Sequence, residues 1–161
     1  MAASCSSPAT TKGVAIKPTI DQGLCKLVSP SVVATALETS VSSPTTLSHD
    51  SATQCLYRAL TTPDTAVLIR YDTNTNSSTF LKSEAIFERK GFKLGPITDL
   101  GDQAYYFSKQ AGQDTLTTVV LRQGTLQLLV TGNASLDQVG SIARYALSQY
   151  EAKHAPKPSS G

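Results

Sequence analysis

The spacing of apolar residues in the last third of the chain predicts one long amphipathic helix. Ser135 and Gln138 have the spacing of a capping box, in which two side chains satisfy free amides at a helix start. Apolar positions then recur at helical intervals, as expected for a helix that packs on a core. The stripe consists of Leu136, Val139, Ile142, Ala143, Ala146, Leu147 and Tyr150.

Two shorter helices are predicted ahead of it. Serine suits an N-cap and proline suits the first helical position, so Ser29-Pro30 indicates a helix that ends near 38–40. A second helix is predicted over 79–90, followed by Gly91 where glycine commonly ends a helix. Its expected core-facing residues are Phe80, Leu81, Ala85 and Ile86, and its expected water-facing residues are Lys82, Glu84, Glu88 and Arg89.

The remaining apolar segments have the composition of strands, which is alternating, β-branched or aromatic. The hairpin signal Gln123-Gly124 joins the last two of them, and the Ser/Thr/Pro-rich segment 41–53 is predicted as an exposed loop. Because the strands are neighbours framed by helices, the predicted fold class is α+β, a single antiparallel β-sheet of about five strands with two or three helices packed on it. The predicted strands are 54–60, 66–72, 104–109, 115–122 and 125–131.

Both ends of the chain are small and polar and lack the periodicity of a folded element. Such segments bury too little surface to offset the entropy lost on ordering. Prolines at 156 and 158 also oppose helix formation near the C-terminus. We therefore expect a flexible N-terminal tether over 1–17, a single α+β domain over 18–153 and a disordered tail over 154–161.

Composition narrows the class of protein further. Charged residues make up only 16% of the chain and the net charge is +2, so the sequence has no basic excess for nucleic acid. No apolar run approaches the roughly 18 residues that a membrane span needs. Serine and threonine, 19 and 20 residues, make up close to a quarter of the chain. Low charge and abundant hydroxyl groups favour an extracytoplasmic protein.

Two of the three cysteines lie inside the predicted domain. Cys25 and Cys55 belong to no CxxC motif and have no neighbouring metal ligands, so a zinc site is not predicted. In an exported protein they would form one disulfide, which would contribute roughly 3–4 kcal/mol to stability. The alternative is a pair of buried reduced thiols, which cysteine tolerates well.

The third cysteine lies in the N-terminal tether. Cys5 follows the small residues Ala3-Ser4 and precedes a Ser/Thr/Pro-rich stretch. This arrangement resembles the processed end of a bacterial lipoprotein, whose first mature residue is a lipidated cysteine. The alternative is an isolated cysteine in a disordered segment.

The order of these features resembles a known family. The first motif starts at Cys25 and continues Lys-Leu-Val-Ser-Pro-Ser; the others are Cys55-Leu-Tyr57 and Gly101-Asp-Gln-Ala104. Together, over about 20–152, they resemble small cell-envelope lipoproteins of actinobacteria that carry a domain of unknown function. The resemblance implies an exported, lipid-tethered, disulfide-bearing α+β domain without established enzymatic activity, and it supplies no catalytic residues.

The sequence offers little for catalysis or metal binding. The only histidines are His49, in a Ser-rich loop, and His154, in the C-terminal tail. His49 and its neighbour Asp50 cannot form a triad by sequence adjacency, because a triad is defined by geometry. Asp99 and Asp102 bracket a glycine turn but lack the spacing of a calcium loop. We therefore predict no catalytic residue, no metal and no cofactor.

Aromatic residues supply the candidate binding surface. Because tyrosine combines an apolar ring with a polar hydroxyl, a cluster on strands suits a partly wet ligand or partner surface. Ordinary core packing is the alternative for the same residues. The candidate surface consists of Tyr57, Tyr71, Tyr105, Tyr106 and Phe107.

The predicted function follows from these interpretations. We expect a monomeric, non-catalytic cell-envelope lipoprotein domain that binds a small ligand or an envelope partner and no nucleic acid. Its predicted location is the outer face of the cell membrane, through a lipid anchor on Cys5, or outside the cell. The alternative is a structural lipoprotein that docks onto another envelope protein, and the third candidate is an envelope hydrolase.

Overall fold

A single antiparallel sheet organises the protein. The computed structural model describes residues 21–158. The strands follow the order β1-β2-β3-β7-β6-β5-β4 across the sheet. They are β1 Thr45–His49, β2 Ala52–Arg58, β3 Ala66–Asp72, β4 Gly95–Pro96, β5 Gln103–Ala111, β6 Asp114–Gln123 and β7 Leu126–Gly132. The α+β prediction is confirmed, but the sheet has seven strands where about five were expected.

Both unexpected strands are sheet edges. β1 lies within 41–53, which was predicted as a loop, and that prediction is wrong over Thr45–His49. Its only large apolar residue is Leu47, so it shows no hydrophobic alternation, and it is defined by its pairing with β2. β4 is two residues long and pairs with β5 through Gly95 and Pro96. Neither strand has the apolar pattern by which strands are recognised.

Two of the three helices in the described residues begin at the predicted capping residue. Ser29 and Pro30 open the first helix, as predicted. The second helix begins slightly earlier than predicted, because the Asn76 side chain accepts a hydrogen bond from the Thr79 amide at 2.9 Å. The predicted capping box of Ser135 and Gln138 is present. The helices are α1 Pro30–Leu37, α2 Ser77–Arg89 and α3 Leu136–His154, and a short 3-10 turn covers Leu24–Lys26.

Helices α1 and α3 cover one face of the sheet. Five of the seven apolar residues predicted for α3 are buried, and Leu136 and Tyr150 pack at its ends. They meet alternate side chains of the central strands, where Ile69, Leu128 and Val130 are fully buried. The predicted apolar stripe of α3 is therefore confirmed. This layer contains most of the core.

Helix α2 packs on the opposite face, at the β5–β6 end. Phe80, Tyr105, Phe107 and Val120 are buried there in a second cluster, and Phe87 packs against it with its ring centroid 4.6 Å from that of Phe107. The predicted orientation of α2 is therefore wrong in part, because the large Phe80 and Phe87 rings set which side faces the sheet. Three residues expected in the core are exposed: Leu81, Ala85 and Ile86.

A disulfide joins the 3-10 turn to the sheet. Cys25 and Cys55 are bonded, with their Cα atoms 5.3 Å apart, which confirms the predicted pair. Next to it, the Tyr57 hydroxyl donates to the carbonyl of Val28 at 2.6 Å. The disulfide and this hydrogen bond therefore hold the segment that precedes α1 against β2.

Buried tyrosines make the protein sensitive to alkaline pH. Burial raises the pKa of Tyr57 to about 12. Burial, and to a smaller extent the neighbouring Tyr57, also raise the pKa of Tyr71. Because the folded state raises these pKa values, it favours the neutral phenols. Their contribution to the free energy of unfolding is fully present below the unfolded-state pKa near 10, and it is lost as pH rises toward the folded-state pKa.

We expect the protein to unfold between about pH 10 and pH 12, because unfolding lets these phenols ionise. Phenolate absorbance should then increase over the same pH range in which the near-ultraviolet circular dichroism signal is lost. The Tyr71→Phe variant should unfold at higher pH, since the Tyr71 hydroxyl has no hydrogen-bond partner in the described residues. Full phenolate formation before any loss of structure would contradict this expectation.

Candidate functional site

Half of one sheet face carries no covering layer in residues 21–158. Helix α2 occupies only the β5–β6 end of this face, and none of the outward-facing residues of β1, β2 or β3 belongs to either core cluster. We call the uncovered half the open face. It consists of Thr45, Leu47, Gln54, Leu56, Leu68, Arg70 and Thr131, and it is bordered by Leu129, which packs against the α2 cluster.

Strand register arranges the open face as two cross-strand rows. One row runs Leu47, Gln54, Arg70 and Leu129, and the other runs Thr45, Leu56, Leu68 and Thr131. Opposed side chains in an antiparallel sheet lie close enough to contact each other. The result is a leucine surface interrupted by hydroxyl, amide and guanidinium groups.

Exposure increases toward the edge of the sheet. Leu47 on the edge strand is 41% exposed, whereas Leu56, Leu68 and Leu129 are half-buried. β1 pairs only with β2, so its outer edge presents unpaired backbone amides and carbonyls among the described strands. An apolar surface and a free strand edge therefore meet at Leu47.

Two shallow depressions flank α3 on the other face. One, of about 240 Å³, lies beside Ile97, Leu100 and Arg144, and the other, of about 380 Å³, lies between α1 and α3 beside Val32 and Tyr145. Ligand sites typically bury most of a ligand in about 300–1,000 Å³. These depressions are open and mostly apolar, so they would leave a small molecule largely in water.

An ion pair borders the first depression. Arg144 Nη2 lies 3.2 Å from Asp99 Oδ1, and Arg144 Nη1 donates to the Asp99 carbonyl at 3.0 Å. The hydrogen bond from Arg144, and then its charge, lower the pKa of the Asp99 carboxyl. Both side chains are well exposed, so the pair anchors the loop before β5 to α3.

No known family model matches this chain, and no curated protein or solved structure does so either. The function must therefore be inferred from the surfaces described above.

The structure favours core packing for most of the predicted aromatic surface. Tyr57, Tyr71, Tyr105 and Phe107 are each at most 6% exposed. Tyr57 and Tyr71 face α1 and α3, whereas Tyr105 and Phe107 face α2, because they belong to opposite faces of the sheet. Only Tyr106 is partly exposed, with its ring over Gly95, where a Cβ would come within 2.3 Å of it. These residues therefore do not form one surface.

The residues considered for catalysis or metal binding form two separate, two-residue ion pairs. His49 Nδ1 is 2.9 Å from Asp50 Oδ2, and both side chains are largely in solvent at the tip of the β1–β2 hairpin. Asp102 Oδ2 accepts a hydrogen bond from the Gly124 amide at 2.9 Å and pairs with Arg122. Within residues 21–158, no group of three or more His, Cys, Asp or Glu residues is placed to bind a metal.

The predicted anchor lies outside the described residues. Cys5 precedes residue 21, the first residue that the structure describes. Among the helices of the described part, none is long and apolar enough to cross a bilayer.

Sequence reasoning missed the open face, although a signal was present. β3 contains the continuous run Ala66-Val-Leu-Ile69, and β2 places Leu56 between two inward-facing residues. Strands that are apolar on both faces are typical of sheets covered on both sides. With α2 at one end of the sheet, Leu47, Leu56 and Leu68 of the second face remain uncovered.

Proposed function

We propose that this protein is a non-catalytic binding domain of the cell envelope and that it docks an envelope protein through the open face. The observation that carries the proposal is the uncovered sheet half, on which Leu47, Leu56 and Leu68 lie among polar groups. Exposed apolar patches rimmed by polar residues commonly mark protein interfaces.

A protein partner fits this surface better than a small ligand. The open face is broad and extends over four strands, whereas a small molecule needs a concave site that buries most of its surface. The edge of β1 adds backbone groups that an extended partner segment can pair with. The proposal therefore selects the docking candidate over the small-ligand candidate.

An exported location is part of the proposal. Disulfides persist mainly in oxidising compartments, so the Cys25–Cys55 bond supports a place outside the cytoplasm. A lipid on Cys5 would hold the domain at the outer face of the cell membrane. The domain acts as a monomer that contacts its partner through the open face.

Site-specific photo-crosslinking tests the docking surface. A photoreactive residue at Gln54, in the middle of the open face, should give one discrete adduct in intact cells. The added substitution Leu47→Glu should abolish the adduct, because it places a charge on the apolar surface. Leu60→Glu is the matched control, since Leu60 is 64% exposed in the turn after β2 and lies outside the open face.

Two results would contradict docking at this surface. An adduct that persists unchanged in the Leu47→Glu variant would show that the contact does not depend on the leucine surface. A photoreactive residue at Leu60 that gives the same adduct at the same yield would show that the contact is unspecific.

Fatty-acid labelling tests the anchor separately. A precursor that carries its export signal should incorporate a labelled fatty acid on Cys5, and Cys5→Ser should abolish the label. Cys25 and Cys55 serve as internal controls, because their thiols are joined in the disulfide. Label that survives Cys5→Ser would overturn the anchor and leave the docking surface untouched.

A further inference from the structure

The outward side of α2 combines exposed apolar residues with cations. Lys82 and Arg89 lie two turns apart along the middle of this side, and Leu81 and Ile86 flank them. Leu81 is 49% exposed and Ile86 is 42% exposed. The α2 surface, as we call it, consists of Leu81, Lys82, Ala85, Ile86 and Arg89, together with the exposed Lys90 and Lys93 that follow the end of the helix.

Packing on the sheet does not account for this pattern. The side of α2 that faces the sheet carries Phe80 and Phe87, which already cover Tyr105 and Phe107. A surface helix normally places charged and polar residues opposite its core side. Leu81 and Ile86 are instead left in water, on either side of two cations.

Cations outnumber carboxylates on this surface. Within residues 21–158, none of Lys82, Arg89, Lys90 and Lys93 forms an ion pair with a carboxylate. The carboxylates of α2 are Glu84, which is half-buried on the sheet side, and Glu88, which is exposed beside Arg89, so an excess of positive charge remains. A basic residue in the last turn suits the helix dipole, which accounts for Arg89 but not for Lys82 or Lys93.

We infer that the α2 surface binds the anionic surface of a phospholipid bilayer. In an interfacial helix, apolar side chains enter the region between headgroups and acyl chains while cations contact phosphates. Leu81 and Ile86 have the first role, and Lys82 and Arg89 have the second. Each basic residue near an anionic membrane contributes about fivefold in affinity, which corresponds to about 1 kcal/mol.

The point at which the described chain begins is compatible with this contact. Asp21 lies beside Lys153 at the end of α3, so the described chain begins on the other face of the sheet from α2. The segment from Cys5 to Asp21 can extend to roughly 50 Å, at about 3.3 Å for each residue. This length allows α2 to reach a membrane to which Cys5 is attached.

Vesicle binding by the full chain tests the inference without a lipid anchor. The 161-residue chain with Cys5→Ser should bind phosphatidylglycerol-containing vesicles at low salt and phosphatidylcholine vesicles far more weakly. Lys82→Gln/Arg89→Gln should lower the partition coefficient about 25-fold, from about fivefold for each cation. Arg58→Gln/Lys157→Gln is the matched control, because it removes the same amount of positive charge from two exposed residues outside α2. This control variant should change vesicle binding less than threefold.

The apolar contribution is tested by separate variants. Leu81→Ser/Ile86→Ser should weaken vesicle binding at least tenfold, and Leu60→Ser should leave it unchanged. Circular dichroism should show every variant folded, since the replaced side chains are exposed.

Three results would overturn the inference: equal binding to both kinds of vesicle, equal loss in the Lys82/Arg89 variant and its control, or binding to an acidic peptide without binding to anionic vesicles. None of them depends on the open face, so failure here would leave the proposed docking function intact.

Discussion

Replacement of both bridged cysteines, Cys25→Ser/Cys55→Ser, should lower the free energy of unfolding by about 3–4 kcal/mol. The two residues are separated by 30 positions, and an open loop of that length gains considerable freedom in the unfolded chain. The bond also fixes the 3-10 turn, so its loss frees the segment that leads into α1. The double variant is required because a single replacement would leave a reactive thiol in the core.

Chemical denaturation of the oxidised protein and the double variant measures this effect. The wild-type protein under a thiol reductant should match the double variant, and the midpoint of thermal unfolding should fall by about 10 °C. Cys5→Ser should leave both quantities unchanged. A loss below about 1 kcal/mol would show that contacts such as the Tyr57–Val28 hydrogen bond hold the turn without the disulfide.

The second large effect is expected at the turn before β5. Gly101 has a φ of 64°, and a Cβ at this position would lie 2.6 Å from the backbone carbonyl oxygen of Arg122. Gly101→Ala therefore combines a left-handed conformation, which costs about 1–2 kcal/mol, with a clash that costs about 1–3 kcal/mol more. The clash also strains the hydrogen bond from the Asp102 amide to the same carbonyl.

Gly112→Ala provides a matched control for this substitution. Gly112 has a φ of 67°, but a Cβ there would meet nothing within 4 Å. Its expected cost is the conformational part alone, about 1–2 kcal/mol. The difference between the two variants, measured by urea denaturation, isolates the clash with Arg122. Equal losses would show that the turn moves away from β6 without cost.

The elements that could be predicted from the sequence carry their own signals. Ser135 and Gln138 mark the start of α3, and Gln123-Gly124 marks the β6–β7 hairpin, where Gly124 adopts a φ of 58°. The edge strand β1 carries no such signal, because threonine, serine and histidine are common in loops. β1 is a strand because it pairs with β2, and this pairing cannot be recognised from the composition of β1 alone.

The candidate surfaces were harder to predict than the fold. Leu81 and Ile86 have helical spacing that suits a core, yet the aromatic cluster at β5 selects Phe80 and Phe87 instead. Likewise, Leu56 and Leu68 read as core residues in single strands, and only the position of α2 leaves them uncovered. In both cases exposure is decided by packing between elements that are remote in the sequence.

The strand order also has a consequence for the route by which the chain folds. Every adjacent pair in the sheet except β3–β7 joins strands that are consecutive in the sequence. The meanders β1-β2-β3 and β4-β5-β6-β7 can therefore each form before β3 pairs with β7. Pairing across distant segments is the slow step in sheet formation. Gly132, opposite Val67 at one end of this junction, has no room for a side chain, because a Cβ there would lie 2.9 Å from the Val67 side chain; the pairing that closes the sheet therefore requires a glycine at this position.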